Sequence, residues 1–161
     1  MRPQTQPNHW SCAVTAAAIV MDMAVSDLIS EIGHDGSAIV FPELPAPICR
    51  AGFDIQEIID VALRHGWYMV PIEARPIVTN DGVHTRSLFA EDKISPRMER
   101  YFSLYSGVVM GERKFGRKWW HTCAWDHVTQ LWYDPSGPIL PYGSPPIDIR
   151  TFWIFRGVYD G

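Results

Sequence analysis

The feature that most constrains the fold of this chain is an almost wholly apolar segment, residues 12–24, with the composition of a helix. Its alanines and methionines are strong helix formers, and Ser11 stands where an N-terminal cap is expected. A helix with so little polar surface is usually buried on all sides. The sequence therefore predicts a central helix that other elements enclose, and Asp22 marks where it meets water or a polar partner. Its longest apolar run, residues 13–21, is well short of the roughly 20 residues that a membrane span requires, so no membrane insertion is expected.

The remaining segments predict an α+β fold in which helices come first and an antiparallel sheet follows. We predict further helices over residues 26–32, 54–65 and 95–104, the second of which opens with a capping signal from Asp54 to Glu57. Strands are predicted over residues 67–72, 107–110, 119–125, 128–133 and 151–158. Residues 34–52, 79–92 and 135–148 carry loop signals.

Composition narrows the classes of function. The chain has 161 residues and 47% hydrophobic content, which suits one globular domain spanning residues 1–161. Its net charge of -4 does not suit a general nucleic-acid binder, which needs clustered cations to displace counterions, so no nucleic acid is expected as a partner. Three cysteines cannot all pair and the N-terminal residues are too polar for a signal peptide, so we expect a reducing, cytoplasmic compartment.

Cys12 stands at the start of the apolar helix, where unpaired backbone N–H groups and the helix dipole favour a thiolate. That is the environment of a nucleophile, although a buried structural cysteine fits the same position. Gln6 lies six residues earlier, across a turn at Pro7. Its side-chain amide could stabilise a developing oxyanion together with the Cys12 backbone N–H.

His121 and Asp134 supply the other parts of a possible thiol site. If the hairpin between their strands turns at residues 126–127, His121 faces Trp132 and Asp134 faces Trp119. His121 and Asp134 then share one face of the sheet as diagonal neighbours, within reach for a carboxylate that orients an imidazole. A nucleophilic cysteine needs such a base, and the base needs an orienting group. Each residue alone also fits a structural role, His121 in the core and Asp134 in a turn.

In this order the residues resemble the papain-like cysteine peptidases, and most closely the bacteriocin-processing peptidase domains and their stand-alone relatives. The pattern covers residues 4–137: Gln6-x5-Cys12 opens an apolar helix, His121 starts a strand and Asp134-Pro135 ends the next. The resemblance implies a papain-like fold, with the nucleophile at a helix start packed on a C-terminal antiparallel sheet. It also implies Cys12 as nucleophile, His121 as base and then acid, Asp134 as its orienting group and Gln6 in the oxyanion hole.

The sequence thus predicts a cysteine peptidase that cleaves a peptide or isopeptide bond of a polypeptide substrate and uses no cofactor. Ala13 follows the nucleophile where family members commonly carry glycine, which keeps open a catalytically inactive interaction module with a papain fold. A transglutaminase-like acyl transferase, in which an amine resolves the thioester, is a further alternative. The oligomeric state is left open.

The same hairpin also contains residues that could bind a metal ion. His121, Cys123 and His127 could act as ligands, because His121 and Cys123 share a strand face. A closed zinc site uses four well-spaced ligands, and the chain has no Cys-x2-Cys pair, so we expect no metal. Cys49, alone in a predicted loop, is interpreted as incidental.

Overall fold

A six-stranded antiparallel sheet and four helices make up the part of the chain that the structure describes, so the fold class is α+β. The structure is a computed structural model, and it describes residues 1–38, 52–74, 96–114 and 120–157. The helices are α1 (Cys12–Met21), α2 (Val25–Ile32), α3 (Ile55–Arg64) and α4 (Pro96–Leu104). The strands are β1 (Trp67–Glu73), β2 (Gly107–Arg113), β3 (Trp120–Asp126), β4 (Leu131–Tyr133), β5 (Ile139–Pro141) and β6 (Ile147–Gly157). They lie in the order β1-β6-β2-β3-β4-β5, and every neighbouring pair is antiparallel.

Helix α1 is the central helix that the apolar segment predicts. Every residue from Val14 to Met21 is buried. The helix ends at Met21, three residues before the predicted end, because Asp22 adopts a left-handed conformation with φ 54°. Asp22 is exposed and lies 3.8 Å from the Arg2 guanidinium, so the helix does meet a polar partner there.

Local sequence signals set the ends of the next two helices. Helix α2 starts one residue before its predicted position and ends at Gly33, whose φ of 92° suits glycine. Helix α3 begins with the predicted capping box, in which the Asp54 carboxylate accepts from the Gln56 backbone and the Glu57 carboxylate accepts from the Asp54 backbone. Gly66 follows α3 with φ 77°.

The strand predictions need four corrections, and the first is that β2 continues to Arg113, three residues beyond its predicted end, where it pairs with β6. The turn after β3 takes four residues, 127–130, so β4 begins at Leu131, three residues later than predicted. The proline-rich stretch contains β5, which pairs along β4 at the sheet edge, where Pro141 is tolerated. Strand β6 begins at Ile147, four residues early, because Ile147 and Ile149 are buried in the core. Several predictions lie outside the described residues, among them the loop at 79–92, Cys49, Trp119 and the last residue of the 151–158 strand.

Side chains alternate between the two faces of the sheet and form two apolar cores. Helices α1 to α3 pack on one face, against residues such as Val108 and Ala124. Helix α4 packs on the other face, where Phe102 contacts Trp125 and Trp132. Within the described ranges, no single helix is long and apolar enough to cross a membrane; α1 and α2 reach that length and composition only as a pair bent by 115°.

Candidate active site

The start of α1 presents Cys12 together with uncapped backbone groups. Ser11 occupies the N-cap position, but its side chain makes no capping hydrogen bond. Its hydroxyl bonds to the Asn8 side chain instead, which corrects the predicted cap. The first N–H groups of a helix have no partner within the helix, so those beside Cys12 remain available to another acceptor. Cys12 itself is half-buried.

The early part of β3 carries His121. Within the described ranges, β4 pairs only with residues 124–126 of β3, so the part of β3 beside His121 pairs with β2 and with no other described strand. On that side His121 is opposite Gly111. Strand β4 ends at Tyr133, and the next residue, Asp134, contacts His121. The candidate site forms where β4 no longer pairs with β3.

The Asp134 carboxylate holds the imidazole of His121. Asp134 Oδ1 lies 2.7 Å from His121 Nε2, and both side chains are buried. The same oxygen accepts from the backbone N–H and the hydroxyl of Ser136, each at 2.8 Å. Arg113 donates to the Ser136 hydroxyl at 2.6 Å and lies 3.6 Å from Asp134 Oδ2. Burial would raise the pKa of Asp134, but the hydrogen bonds from His121 and Ser136 outweigh it and lower the pKa to about 2.

The predicted hairpin register is wrong by four residues, yet the predicted pair of side chains still meets. Trp132 pairs with Trp125 and not with His121, its predicted partner. An even shift keeps each side chain on its face. Extended by one pair, the observed register puts Asp134 beside Cys123 instead of Trp119. His121 lies midway between these two positions on β3, so it is a diagonal neighbour of Asp134 in either register.

The Cys12 thiol and the His121 ring form a coupled pair. Burial would raise the pKa of Cys12, but hydrogen bonding to His121, the charge on that ring and hydrogen bonding to Thr122 bring the pKa below its ordinary value of 9.0. For His121, burial acts to lower the pKa, while hydrogen bonding to Asp134, Cys12 and Cys123 raises it to about 11. At neutral pH the His121 ring therefore carries its proton, and this charge favours the thiolate form of Cys12. Because Nε2 faces Asp134, Nδ1 is the ring nitrogen left for a thiol.

Gln6 is tied to the same end of the sheet. Its backbone N–H donates to the carbonyl of Pro135 at 2.8 Å, next to Asp134. Its side-chain Oε1 is buried and has no hydrogen-bond partner among the described residues. The structure thus places Gln6 beside the turn that holds Asp134, and no described contact engages its amide oxygen.

Cys123 brings a second thiol to His121. It is completely buried, and burial raises its pKa to about 11, although the hydrogen bond to His121 acts the other way. Donor atoms of His121, Cys123 and Asp134 all lie within 4.8 Å of one another. His127, the third residue of the possible metal-ligand set in the sequence, does not join them. Its Nδ1 lies 2.8 Å from the Ser106 hydroxyl.

Three contributors to this site are not among the residues predicted from the sequence. Thr122 contacts Cys12, while Ser136 and Arg113 hold Asp134. Ser136 follows the Asp134-Pro135 turn and could have been suggested as a turn partner. Arg113 reaches the site only because β2 pairs with β3.

Comparison with known proteins adds no relative: no family model, no curated protein and no solved structure matches this chain. The site must therefore be interpreted from its own geometry.

Proposed function

We propose that the chain is a papain-like cysteine peptidase that cleaves a peptide or isopeptide bond through an acyl-enzyme at Cys12. The observation that carries the proposal is the side-chain series Cys12, His121, Asp134, contributed by α1, β3 and the turn after β4. Nucleophile, base and orienting group are the parts that thiol hydrolysis requires, in that order of contact. A nucleophile at the start of a helix packed on an antiparallel sheet also agrees with a papain-like architecture.

In the first half of the reaction, the Cys12 thiolate attacks the carbonyl carbon and the carbonyl oxygen becomes negative. The Cys12 backbone N–H is at the first position of α1 and has no acceptor within the helix, so it can donate to that oxygen, with Gln6 as the second donor. His121 gives its Nδ1 proton to the leaving amine, the C–N bond breaks, and a thioester remains on Cys12.

In the second half, the now neutral His121 takes a proton from water as the water oxygen attacks the thioester. The C–S bond breaks, the acid product leaves, and the thiolate–imidazolium pair is restored. Throughout, Asp134 accepts the Nε2 hydrogen bond, which fixes the tautomer and stabilises the imidazolium.

Labelling with a peptidyl vinyl sulfone tests the proposal on the full chain in chelator-treated buffer at pH 7, with mass spectrometry to locate the label. We expect Cys12 to react faster than glutathione. Cys123 is the internal control and should stay unlabelled, because it is fully buried and its pKa is raised. Labelling of Cys12 no faster than glutathione would overturn the proposal.

A peptide library with mass-spectrometric readout extends the test to turnover, with Cys12→Ala as the matched variant. Products carrying added water, absent with Cys12→Ala, support hydrolysis. Products carrying an added amine would instead indicate acyl transfer. A reactive Cys12 that turns over no peptide or isopeptide would favour the inactive interaction module.

A further inference from the structure

We propose that His121, Cys123 and Asp134 form a binding site for a divalent transition-metal ion, foremost Zn²⁺, and that an ion bound there stops the chemistry of Cys12. The metal-binding part stands on the geometry of the three side chains alone. The inhibitory part rests on the proposed function.

The geometry is close to that of a zinc site. One donor atom from each residue lies within 4.8 Å of the other two. Zinc binds sulfur at about 2.3 Å and nitrogen or oxygen at about 2.0–2.2 Å, which puts its donors roughly 3.5 Å apart. The donors that lie farthest apart therefore need to close by little more than about 1 Å around an ion, while His121 Nε2 and Asp134 Oδ1, now 2.7 Å apart, need to separate by about 0.8 Å.

The donor types select the metal. An imidazole, a thiolate and a carboxylate are all zinc ligands, and a buried thiolate discriminates against Mg²⁺ and Ca²⁺, which prefer oxygen. A neutral imidazole with one thiolate and one carboxylate carries two negative charges, which balance the charge of the ion. Binding releases the Cys123 proton and any proton on the imidazole nitrogen that binds.

Cys123 contacts His121 but has no role in the proposed peptidase mechanism. It is fully buried in the apolar core next to Trp125, yet its thiol also reaches His121. A buried cysteine with only a packing role needs no such polar neighbours. As a metal ligand, the same thiol meets the two other donors that the site requires.

Arg113 and residues of the N-terminal segment border the proposed metal site. The Arg113 guanidinium faces Asp134 Oδ2 at 3.6 Å and opposes a cation there, but its side chain is more than one third exposed and can swing into solvent. A small cleft of about 120 Å³ lies beside the site and is lined partly by Thr5, Tyr133 and Asp134.

A bound ion and an active Cys12 exclude each other. Whichever ring nitrogen of His121 binds the metal, the ring can no longer exchange a proton with the Cys12 thiol and the substrate. Asp134 is drawn into the same complex and cannot orient a free imidazole. Zinc at this site therefore switches off the proposed peptidase without touching its nucleophile.

The test uses the full chain freed of metal with a chelator. Zinc affinity is measured by competition with a chromophoric chelator, and Co²⁺ serves as the spectroscopic probe, because a thiolate ligand gives a charge-transfer band. We expect one equivalent of metal and a thiolate band for both the unmodified chain and Cys12→Ala. Cys123→Ser and His121→Ala should weaken binding at least tenfold. His127→Ala, a histidine held by Ser106 outside the cluster, should bind as the unmodified chain does.

Zinc should also slow vinyl sulfone labelling of Cys12, and this effect should require at least tenfold more zinc in Cys123→Ser, whose fold is checked by its unfolding transition. The proposal is overturned if Cys123→Ser binds zinc as tightly as the unmodified chain, or if Cys12→Ala removes the site. If the protein binds zinc but Cys12 is unreactive in the metal-free protein, the proposed peptidase function is refuted and the metal site is supported.

Discussion

At the scale of single residues, Cys12 is subject to opposing effects on its ionisation. Burial favours the neutral thiol, while the helix start and His121 favour the thiolate. A helix N-terminus contributes about 0.3–1 kcal/mol, which is less than one pKa unit at about 1.36 kcal/mol per unit. Among the contacts that lower the Cys12 pKa, hydrogen bonding to His121 and then the charge on its ring are the largest. This is why the nucleophile depends on a residue more than a hundred positions away.

The ionisation of Cys12 yields a prediction for its pH profile. In metal-free buffer, the rate of alkylation of Cys12 by iodoacetamide should rise with pH and level off at an inflection below pH 9, because His121 lowers the Cys12 pKa. Replacing His121 by Ala leaves burial unopposed by the ring, so the inflection should move upward. Each pH unit of that shift lowers the neutral-pH rate about tenfold. The prediction fails if His121→Ala leaves the inflection where it was.

At the scale of elements, helix α1 contains an unpaired polar group. Thr15 is fully buried, and none of the described residues bonds to its hydroxyl. Valine has the same shape without the hydroxyl, and an unpaired buried polar group costs about 1–3 kcal/mol. Thr15→Val should therefore raise the free energy of unfolding by about 1 kcal/mol in urea titrations.

Thr151→Val is the control, for which we expect the opposite change in the free energy of unfolding. Thr151 is also buried, but its hydroxyl donates to Glu73 at 3.1 Å, so the same exchange removes a hydrogen bond. That variant should lose about 0.5–1.5 kcal/mol. If both variants change the free energy of unfolding in the same direction, the hydrogen bonding of the threonine hydroxyl does not determine the effect of these substitutions.

The contact between β2 and β6 gives a second prediction for elements. Gly111 is opposite His121, and a Cβ placed on it would lie 1.9 Å from the carbonyl oxygen of Asp148. Gly111→Ala must push β6 away, so we expect a loss of about 1–3 kcal/mol and slower Cys12 labelling. A Cβ on Gly143 meets no atom of the described residues within 4 Å, and Gly143→Ala should change stability by less than about 0.5 kcal/mol. Equal unfolding midpoints for the two variants would refute this account of the strand packing.

At the scale of the whole molecule, the sheet separates two apolar cores. Phe102 joins α4 to the second core: its ring centroid lies 5.7 Å from that of Trp125 and 4.7 Å from that of Phe152. Its carbonyl also accepts from the Trp125 indole at 2.8 Å. Phe102→Ala should lower the free energy of unfolding by about 3–5 kcal/mol, measured by denaturant titration.

Leu104, two residues later on α4, serves as the matched control. It is 49% exposed, so Leu104→Ala should stay within about 0.5 kcal/mol of the unmodified chain. A Phe102→Ala loss no larger than that of Leu104→Ala would mean that α4 is not anchored by this ring.

Local signals made much of the fold predictable. The all-round apolar character of α1, the capping box at Asp54 and the glycine after α2 each act within one or two turns of chain. Such interactions depend on neighbours in sequence, so a pattern of a few residues is enough to indicate them. The α+β class followed from the order of these elements.

The register of the β3–β4 hairpin could not be obtained in the same way. The Asp126 carboxylate accepts from the backbone N–H of Val128 and the hydroxyl of Thr129, which widens the turn to four residues. A turn's width depends on such side-chain contacts in three dimensions, and it shifts every strand pair at once. His121 and Asp134 still meet because the error of four residues moves Asp134 from two residues on one side of His121 to two residues on the other, and keeps both on one face.

The sequence by itself predicted the four described helices and five of the six described strands and nominated four residues for a site, because helix caps, apolar periodicity and residue chemistry are properties of short segments. Only the tertiary structure decided that β5 forms, that β4 is short, and that Arg113, Ser136 and Thr122 lie beside Cys12, His121 and Asp134. It also placed Cys123 against His121 and Asp134 and left His127 outside. Contacts between segments far apart in sequence are set by packing and strand register, and neither leaves a signal in the local pattern of residues.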